Sequence, residues 1–399
     1  MIGKIFKTQY FYLGVIIFLL SDALLLLFPS LEAYKVSTIL KGAVLLYAYV
    51  LAYKLFSIKE AQYIFVFFTF FIISQAYLVY HNKIEISGIK ENLRFFIWYV
   101  FGLLLMLMYK KVYLSISDKS TIRFLNKLTK IIIITICTSI FIGAIFQLDA
   151  LETYVGKSRW GYKGILRKSV TASYFFILVL SYLYYAQVIL KKRYYLFFTV
   201  LICSFLCGTK TIYLFSILLL LFHILNKGMY KRKAFWYLSV GLLISLFVFR
   251  NFIIKKTEFL WGPFYKIYVE RGFIDSFTSF RGEMLTNGIE YYLHNWKALN
   301  YIIGGRLLDI KYFEMALFDL ICFFGILGAG LFLFIIIKYA IKPFINQTKI
   351  IGVFIISTLF LAAFFTGQFF MNSTIVILTY FFMILIQLNI ATNEQNKHT

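Results

Sequence analysis

Long apolar runs recur along the whole chain and constrain its fold more than any other feature. Runs of about 18 residues or more are long enough to cross the hydrocarbon core of a bilayer as helices. The composition agrees, because 61% of the 399 residues are hydrophobic and 15% are charged, against about 45–50% and about 25% in soluble domains. A water-soluble fold would need a core large enough to hide every run. The sequence therefore predicts an all-α polytopic membrane protein.

The apolar runs predict twelve transmembrane helices. They lie near residues 10–28, 36–53, 61–80, 93–109, 130–148, 171–190, 194–207, 211–226, 234–253, 313–337, 350–367 and 373–391. The seventh is short and joins the eighth through a predicted tight hinge at Gly208, Thr209 and Lys210. Residues 1–253 then hold nine helices, 254–312 form a large outer loop, and 313–399 hold three helices and a short cytoplasmic tail.

Lysine and arginine in the short connections predict the orientation of these helices. The connections near residues 110–130, 191–193, 227–233 and 338–349 are basic and contain almost no acidic residues. We expect them to face the cytoplasm together with both termini, so that 29–35, 81–92, 149–170 and 254–312 face outward. The last of these mixes both charge signs and has helical spacing near 284–296, which predicts short amphipathic helices on the outer surface.

The net charge of +24 belongs largely to these connections, and no soluble basic domain is present to bind nucleic acid. Nucleic acid is therefore not an expected partner. Four cysteines lie inside apolar runs without the spacing of a zinc site, namely Cys137, Cys203, Cys207 and Cys322. We expect no metal site and no cofactor.

Four ionisable residues fall where a lipid environment makes charge costly. Asp22 and Lys41 lie at similar depths in neighbouring antiparallel spans and are expected to form a salt bridge, with a substrate role as the alternative. Glu314 is expected at the outer interface and Asp319 deeper in the same span. Glu314 is either an acid favoured by the helix dipole or a polar group that faces an outward cavity.

Basic residues are unexpectedly dense in one outward connection, 149–170, which contains Lys157, Arg159, Lys163, Arg167 and Lys168. The positive-inside rule disfavours such density on the outer side. An anionic ligand such as a pyrophosphate would account for it, since arginine binds phosphate oxygens in pairs. Lipid headgroups are the alternative. Lys210 and Arg281 would add to the same outward positive field.

Several segments resemble motifs of the O-antigen polymerase and O-antigen ligase family of bacterial envelope proteins. Residues 207–214 (CGTKTIYL) are similar to a Ser-x-Ser-Arg stretch that opens a span, with Lys210 at the basic position. Residues 278–281 (TSFR) and the glycine pair at 304–305 resemble motifs of the large outer loop. Residues 314–328 carry two glycines at the family's offsets, but Glu314 stands where the ligases have histidine. Residues 365–369 (FTGQF) resemble the closing motif.

The resemblance implies a GT-C-like membrane fold and a metal-independent glycosyltransferase of the bacterial inner membrane. Its substrates would be oligosaccharide repeat units on undecaprenyl diphosphate, joined at the outer face into O-antigen or capsular polysaccharide. Other partners would be membrane lipids and a protein that regulates chain length. Because a diphosphate leaves, we expect cations to bind it, namely Lys210, Arg281, Arg159 and Arg167. Glu314 is the expected general base, and Arg281 is the other residue expected to be catalytic.

Two alternatives remain open on sequence alone. One is a flippase for the same lipid-linked oligosaccharide, which would need its charges along a cavity inside the spans. The other is an O-antigen ligase, although the missing histidine favours the polymerase. The sequence does not give the sugar, the linkage or the oligomeric state.

Overall fold

The computed structural model describes residues 12–116, 118–154, 160–190, 195–252, 281–307 and 313–398, with isolated positions at 255, 262, 265–270, 272 and 276. In this part of the chain the regular structure is helical, apart from one antiparallel bridge between Glu152 and Tyr162. Lys157 and Arg159, which were predicted to belong to an anion-binding connection, lie outside the described residues. Much of the predicted outer loop does too.

The first nine helices follow one another closely. They are α1 (Leu13–Leu27), α2 (Val36–Leu55), α3 (Ile58–Tyr80), α4 (Ile86–Ser115), α5 (Lys119–Phe146), α6 (Ser169–Leu183), α7 (Tyr195–Leu206), α8 (Lys210–Asn226) and α9 (Lys233–Val248). A π-helical turn, Tyr184–Ile189, extends α6. Short 3₁₀ helices lie at Pro29–Glu32, Asp149–Leu151 and Met229–Lys231.

In the described part of the chain, two further helices lie inside the predicted outer loop and three follow it. They are α10 (Arg281–Asn295), α11 (Ala298–Ile303), α12 (Ala316–Ile336), α13 (Lys342–Thr366) and α14 (Ser373–His398). Helix α10 agrees with the amphipathic helix predicted near 284–296. A π-helical turn, Ile337–Ile341, connects α12 to α13, and the backbone leaves helical geometry at Gly325 and Lys349.

Seven stretches of the described chain are long and apolar enough to cross a membrane. They are Val36–Leu55, Ile58–Tyr80, Ile86–Ser115, Lys119–Phe146, Ser169–Ile189, Ala316–Thr366 and Ser373–Asn393. Three more apolar helices are shorter, Leu13–Leu27, Tyr195–Leu206 and Lys210–Asn226. The protein is thus an α-helical membrane protein, while the number of twelve spans stays a prediction.

Burial separates central from peripheral helices. In the most apolar stretch of each helix, 89% of the residues are buried in α14, 78% in α6 and 72% in α4. In α2 and in α3 the share is 28%. The peripheral helices expose large apolar side chains, such as Leu46 (66% exposed) and Phe65 (72% exposed). Exposed apolar faces of this extent are unusual on a soluble monomer. They are expected where lipid surrounds the protein.

The predicted salt bridge between the first two helices is confirmed. The Lys41 Nζ atom lies 2.6 Å from Asp22 Oδ1, and both side chains are largely buried. Thr374, at the start of α14, completes the group. Its hydroxyl donates to Asp22 Oδ2 (3.1 Å) and accepts from Lys41 (3.2 Å). The pair therefore ties α1 and α2 to a central helix, which supports the structural role over a substrate role.

Lys41→Met is expected to destabilise the protein, because it leaves the Asp22 carboxylate buried without its counter-charge. Removing one partner of a buried ion pair typically costs about 3–5 kcal/mol. The midpoint of thermal unfolding in detergent micelles measures the loss. The matched control is Asp22→Leu combined with Lys41→Met, which removes both charges and should recover most of the stability. An unchanged midpoint in Lys41→Met alone would contradict the proposed role of the pair.

The connections predicted to face outward meet at one end of the helical bundle. Hydrogen bonds join Arg167 to Glu32 (2.8 Å), Lys83 to Asn295 (3.0 Å) and Thr153 to the Cys207 carbonyl oxygen (2.9 Å). We call this the loop-rich end, comprising residues 28–35, 81–85, 147–154, 160–168, 207–209, 304–307, 313–315 and 367–372. The candidate site lies here.

Candidate functional site

An ion pair between Arg281 and Glu314 marks the candidate site. The Arg281 Nη2 atom lies 2.7 Å from Glu314 Oε2, although the residues are 33 positions apart. Arg281 is the first residue of α10, and Glu314 lies just before α12. The side chains are 16% and 36% exposed. The two residues predicted to be catalytic are therefore in contact, at a position that a ligand can reach.

The backbone at Glu314 has an unusual conformation. Its φ angle is +54°, in the left-handed region that non-glycine residues rarely adopt. Gly367, with φ +62°, lies directly against it. A Cβ atom added to Gly367 would be 2.1 Å from the Glu314 carbonyl carbon. Backbone strain of this kind persists only where surrounding structure enforces it, and it is frequent at functional sites.

The turn that contains Gly367 is anchored to the start of α6. The Thr366 hydroxyl donates to the Tyr174 hydroxyl (3.1 Å), and the Asn372 amide donates to the Thr171 hydroxyl (3.2 Å). The ring of Tyr174 is fully buried. The first turns of α6 therefore hold the turn against which the Glu314 backbone packs.

Lys210, the first residue of α8, contacts the chain shortly before Arg281. Its ammonium group donates to the Ser276 carbonyl oxygen, five residues before Arg281. The preceding Thr209 accepts a hydrogen bond from Ser173 (2.9 Å), which connects Lys210 to the start of α6. Gly208 has φ +66°, so the predicted tight hinge is confirmed. Lys210 and Arg281 therefore lie on two segments that are held together.

Arg167 lies away from the central ion pair. It is exposed and pairs with Glu32 in the connection between α1 and α2. The neighbouring Lys168 approaches the Gln368 side chain at 3.5 Å, next to Gly367. No contact between Arg167 and either Arg281 or Glu314 is found in the described part of the chain. Arg167 is thus at the rim of the site, Arg281 is in the ion pair at its centre, and Lys210 contacts Ser276, five residues before Arg281.

The rim has a positive local field. Although Lys168 is exposed overall, desolvation lowers the pKa of its ammonium group. The positive charges of Arg167, Lys41 and Arg94 lower this pKa further, against an opposing effect of Asp22. Lys168 is therefore influenced by cations of its own connection, of α2 and of α4, although Arg167 and Lys41 each pair with an acid. Such a positive field attracts anions that approach along the membrane surface.

Lys163 has a different role from the one that its sequence context indicates. It is 6% exposed and donates to the Glu152 carbonyl oxygen, inside the connection between α5 and α6. Burial lowers the pKa of its ammonium group. Lys163 therefore stabilises the fold of its own segment and is not placed to bind a ligand from outside.

An apolar cavity lies next to the turn 367–372. It is small, with a volume of about 30 Å³, and its lining residues come from α4, α12, the π-helical turn after α12, α13, the turn 367–372 and α14. Representative lining residues are Gly102, Phe332, Leu359, Phe369 and Val376. Phe369 also packs on Tyr174, with ring centroids 5.3 Å apart. Phe369 therefore connects the lining of the cavity to Tyr174 at the start of α6.

The sequence pointed to Glu314, Arg281 and Lys210, but it did not indicate Tyr174 or Thr366. Tyr174 is one of 31 tyrosines and lies inside an apolar run, so nothing in the sequence distinguishes it. Thr366 and Gly367 fall in the FTGQF motif, which offered the only signal for this turn. Among the described residues, no group of three or more His, Cys, Asp or Glu side chains is arranged to hold a metal ion.

Comparisons with protein-family models, with curated proteins and with solved structures find no match for this chain. Membership of the O-antigen polymerase and ligase family therefore stays a proposal that rests on the motifs and on the geometry of the site.

Proposed function

We propose that this protein is a polysaccharide polymerase that joins oligosaccharide repeat units carried on undecaprenyl diphosphate. The proposal includes twelve spans in a GT-C-like arrangement, both termini in the cytoplasm, and the loop-rich end at the outer face of a bacterial inner membrane. The observation that carries it is the Arg281–Glu314 ion pair. Arginine is a residue type that binds phosphate, and here it pairs with a carboxylate. The pair lies at the end of the bundle that the charge pattern predicts to face outward.

The proposed reaction is a glycosyl transfer. A hydroxyl of the acceptor unit attacks the anomeric carbon of the donor glycan, and the bond from that carbon to the diphosphate oxygen breaks. Undecaprenyl diphosphate leaves with the electron pair. Arg281 and Lys210 stabilise the charge that develops on it, and Arg167 at the rim attracts the lipid diphosphate as it approaches. The hydroxyl proton passes to Glu314, or to the departing diphosphate.

The ion pair suggests how the site responds to its substrate. A diphosphate that binds Arg281 competes with Glu314 for the guanidinium group. This competition would free the carboxylate to contact the acceptor hydroxyl. A flippase is less favoured, because it would need its charges along a cavity inside the spans, whereas the candidate cations lie at the loop-rich end.

The test is reconstitution of the purified protein in liposomes with the lipid-diphosphate-linked repeat unit. Polymerase activity would produce a ladder of longer lipid-linked glycans, with or without EDTA. Transport of the unit across the bilayer without chain growth would favour a flippase. Transfer of a finished chain to a different acceptor, without chain growth, would favour a ligase. Absence of the ladder when correctly folded protein is reconstituted with the lipid-linked unit would overturn the proposal.

Glu314→Gln is expected to slow polymerisation strongly, because the amide keeps the side chain's shape but cannot accept the proton. Loss of a general base typically lowers the rate by about 10²–10⁴-fold. Initial rates of ladder formation measure the effect. The matched control is Glu290→Gln on the exposed face of α10, which should leave the rate unchanged. Glu314→His should retain part of the activity, and a wild-type rate in Glu314→Gln would contradict the role of Glu314.

A further inference from the structure

Asp319 is a buried acid that the proposed reaction does not use. It lies in the first turn of α12 and is 6% exposed. Its Oδ1 atom accepts a hydrogen bond from the Phe313 amide at 2.8 Å. Its own amide donates to the Met315 carbonyl oxygen at 3.0 Å. These two bonds reach the residues directly before and after Glu314, so Asp319 brackets the candidate base.

The two hydrogen bonds of Asp319 help to hold the left-handed backbone conformation of Glu314. A left-handed conformation costs a non-glycine residue roughly 1–2 kcal/mol, so the segment 313–315 needs support to keep it. Gly367 supports the segment from one side by packing on the Glu314 backbone. Asp319 supports it from the other side, through the Phe313 amide. Together they fix the direction in which the Glu314 side chain leaves the backbone.

The second carboxyl oxygen of Asp319 argues against a purely stabilising role. In the part of the chain that the structure describes, Oδ2 is buried and has no hydrogen-bond partner. A buried acceptor without a donor costs about 1–3 kcal/mol. An apolar side chain at this position would avoid that cost but would leave the Phe313 amide unbound. Asp319 therefore lowers stability somewhat but gives the Phe313 amide a fixed hydrogen-bond acceptor.

We propose that Asp319 is a positioning residue that holds the 313–315 segment so that the Glu314 carboxylate faces Arg281 and the acceptor hydroxyl. The inference rests on the proposed function for its catalytic consequence. The essential feature is a hydrogen-bond acceptor at Oδ1 and not the negative charge. Asparagine, which keeps an acceptor oxygen at that position, should therefore replace aspartate.

The test compares two variants of similar size, Asp319→Asn and Asp319→Leu, in the full-length reconstituted protein. Asp319→Leu should lower kcat by about 10- to 100-fold, because a misplaced catalytic group loses rate on this scale. Its KM should change little, since the phosphate-binding cations are untouched. Asp319→Asn should keep a rate close to that of the wild type. Asp118→Ala is the matched control, because Asp118 accepts amide hydrogens in the same way at the start of α5.

A second measurement reads the position of residue 314 without catalysis. Glu314→Cys is labelled with a membrane-impermeant thiol reagent, alone and combined with each Asp319 variant. The labelling rate should change with Asp319→Leu and stay the same with Asp319→Asn. Equal rates in all three backgrounds, or equal loss of kcat in both Asp319 variants, would overturn the inference. An inactive wild-type protein would overturn the proposed function alone, since the labelling result stands independently.

Discussion

Arg281→Ala is expected to abolish long-chain glycan while the lipid-linked single repeat unit remains intact. The guanidinium group is the cation in direct contact with Glu314, and it is the proposed ligand of the departing diphosphate. Removing one group that stabilises developing negative charge typically lowers a rate by about 10²–10³-fold. Because chain growth repeats the transfer many times, this loss should eliminate the longer products. The length distribution of glycans from cells that carry the variant measures it.

Two further variants separate charge from geometry at this position. Arg281→Lys keeps the positive charge but loses the planar, paired donors, so it should give short ladders at a reduced rate. Arg123→Ala, on the opposite side of the predicted membrane, is the matched control and should give normal ladders. Normal chain lengths in Arg281→Ala would remove Arg281 from the site. Loss of the single repeat unit would place the defect before polymerisation.

The sequence predicted the helices well because a bilayer restricts what the chain can form. Backbone groups in lipid must be bonded within the segment, so each long apolar run becomes a helix. Each of the twelve predicted spans overlaps a helix of the described chain. Seven stretches of the described chain also meet the criteria of length and apolarity for crossing a membrane. The Asp22–Lys41 pair was predictable for the same reason, since charges at that depth need a partner.

The arrangement of the site was less predictable, because it depends on connections without a periodic pattern. Glu314 and Arg281 were each selected for their own chemistry, and their contact at 2.7 Å brings the start of α10 to the residues just before α12. No propensity rule would assign a left-handed conformation to a glutamate. Lys163 and Arg167 also looked equivalent in sequence, yet one is buried against Glu152 and the other pairs with Glu32.

The role of Asp319 shows how structure adds to sequence at this site. In sequence, Asp319 was an acid deeper in the span than Glu314, with no assigned role. Its bond to the Phe313 amide shows what a hydrogen-bond acceptor at this position does. The contact between Phe313 and Asp319 cannot be inferred from their spacing in the sequence. It depends on the left-handed backbone conformation of Glu314, which lies between them. Support of this kind is visible only when backbone hydrogen bonds are known.

Gly367→Ala is expected to reduce polymerisation almost as severely as the loss of Glu314 itself. The added Cβ atom would lie 2.1 Å from the Glu314 carbonyl carbon and 2.2 Å from its carbonyl oxygen, so the two segments must move apart. Alanine is also disfavoured at the φ angle of +62°. A displacement of about 1 Å at a catalytic group costs roughly 10²-fold in rate. Single-turnover rates with the lipid-linked unit measure the loss.

Gly330→Ala is the matched control, because Gly330 lies in α12 and a Cβ atom there would meet nothing within 4 Å. Alanine should stabilise that helix by about 0.5–1 kcal/mol and leave the rate unchanged. A combined variant tests the route of the effect. If Gly367 acts through Glu314, then adding Gly367→Ala to Glu314→Gln should cause little further loss, since coupled residues are not additive. Full additivity of the two losses, or a wild-type rate in Gly367→Ala, would show that the contact does not position Glu314.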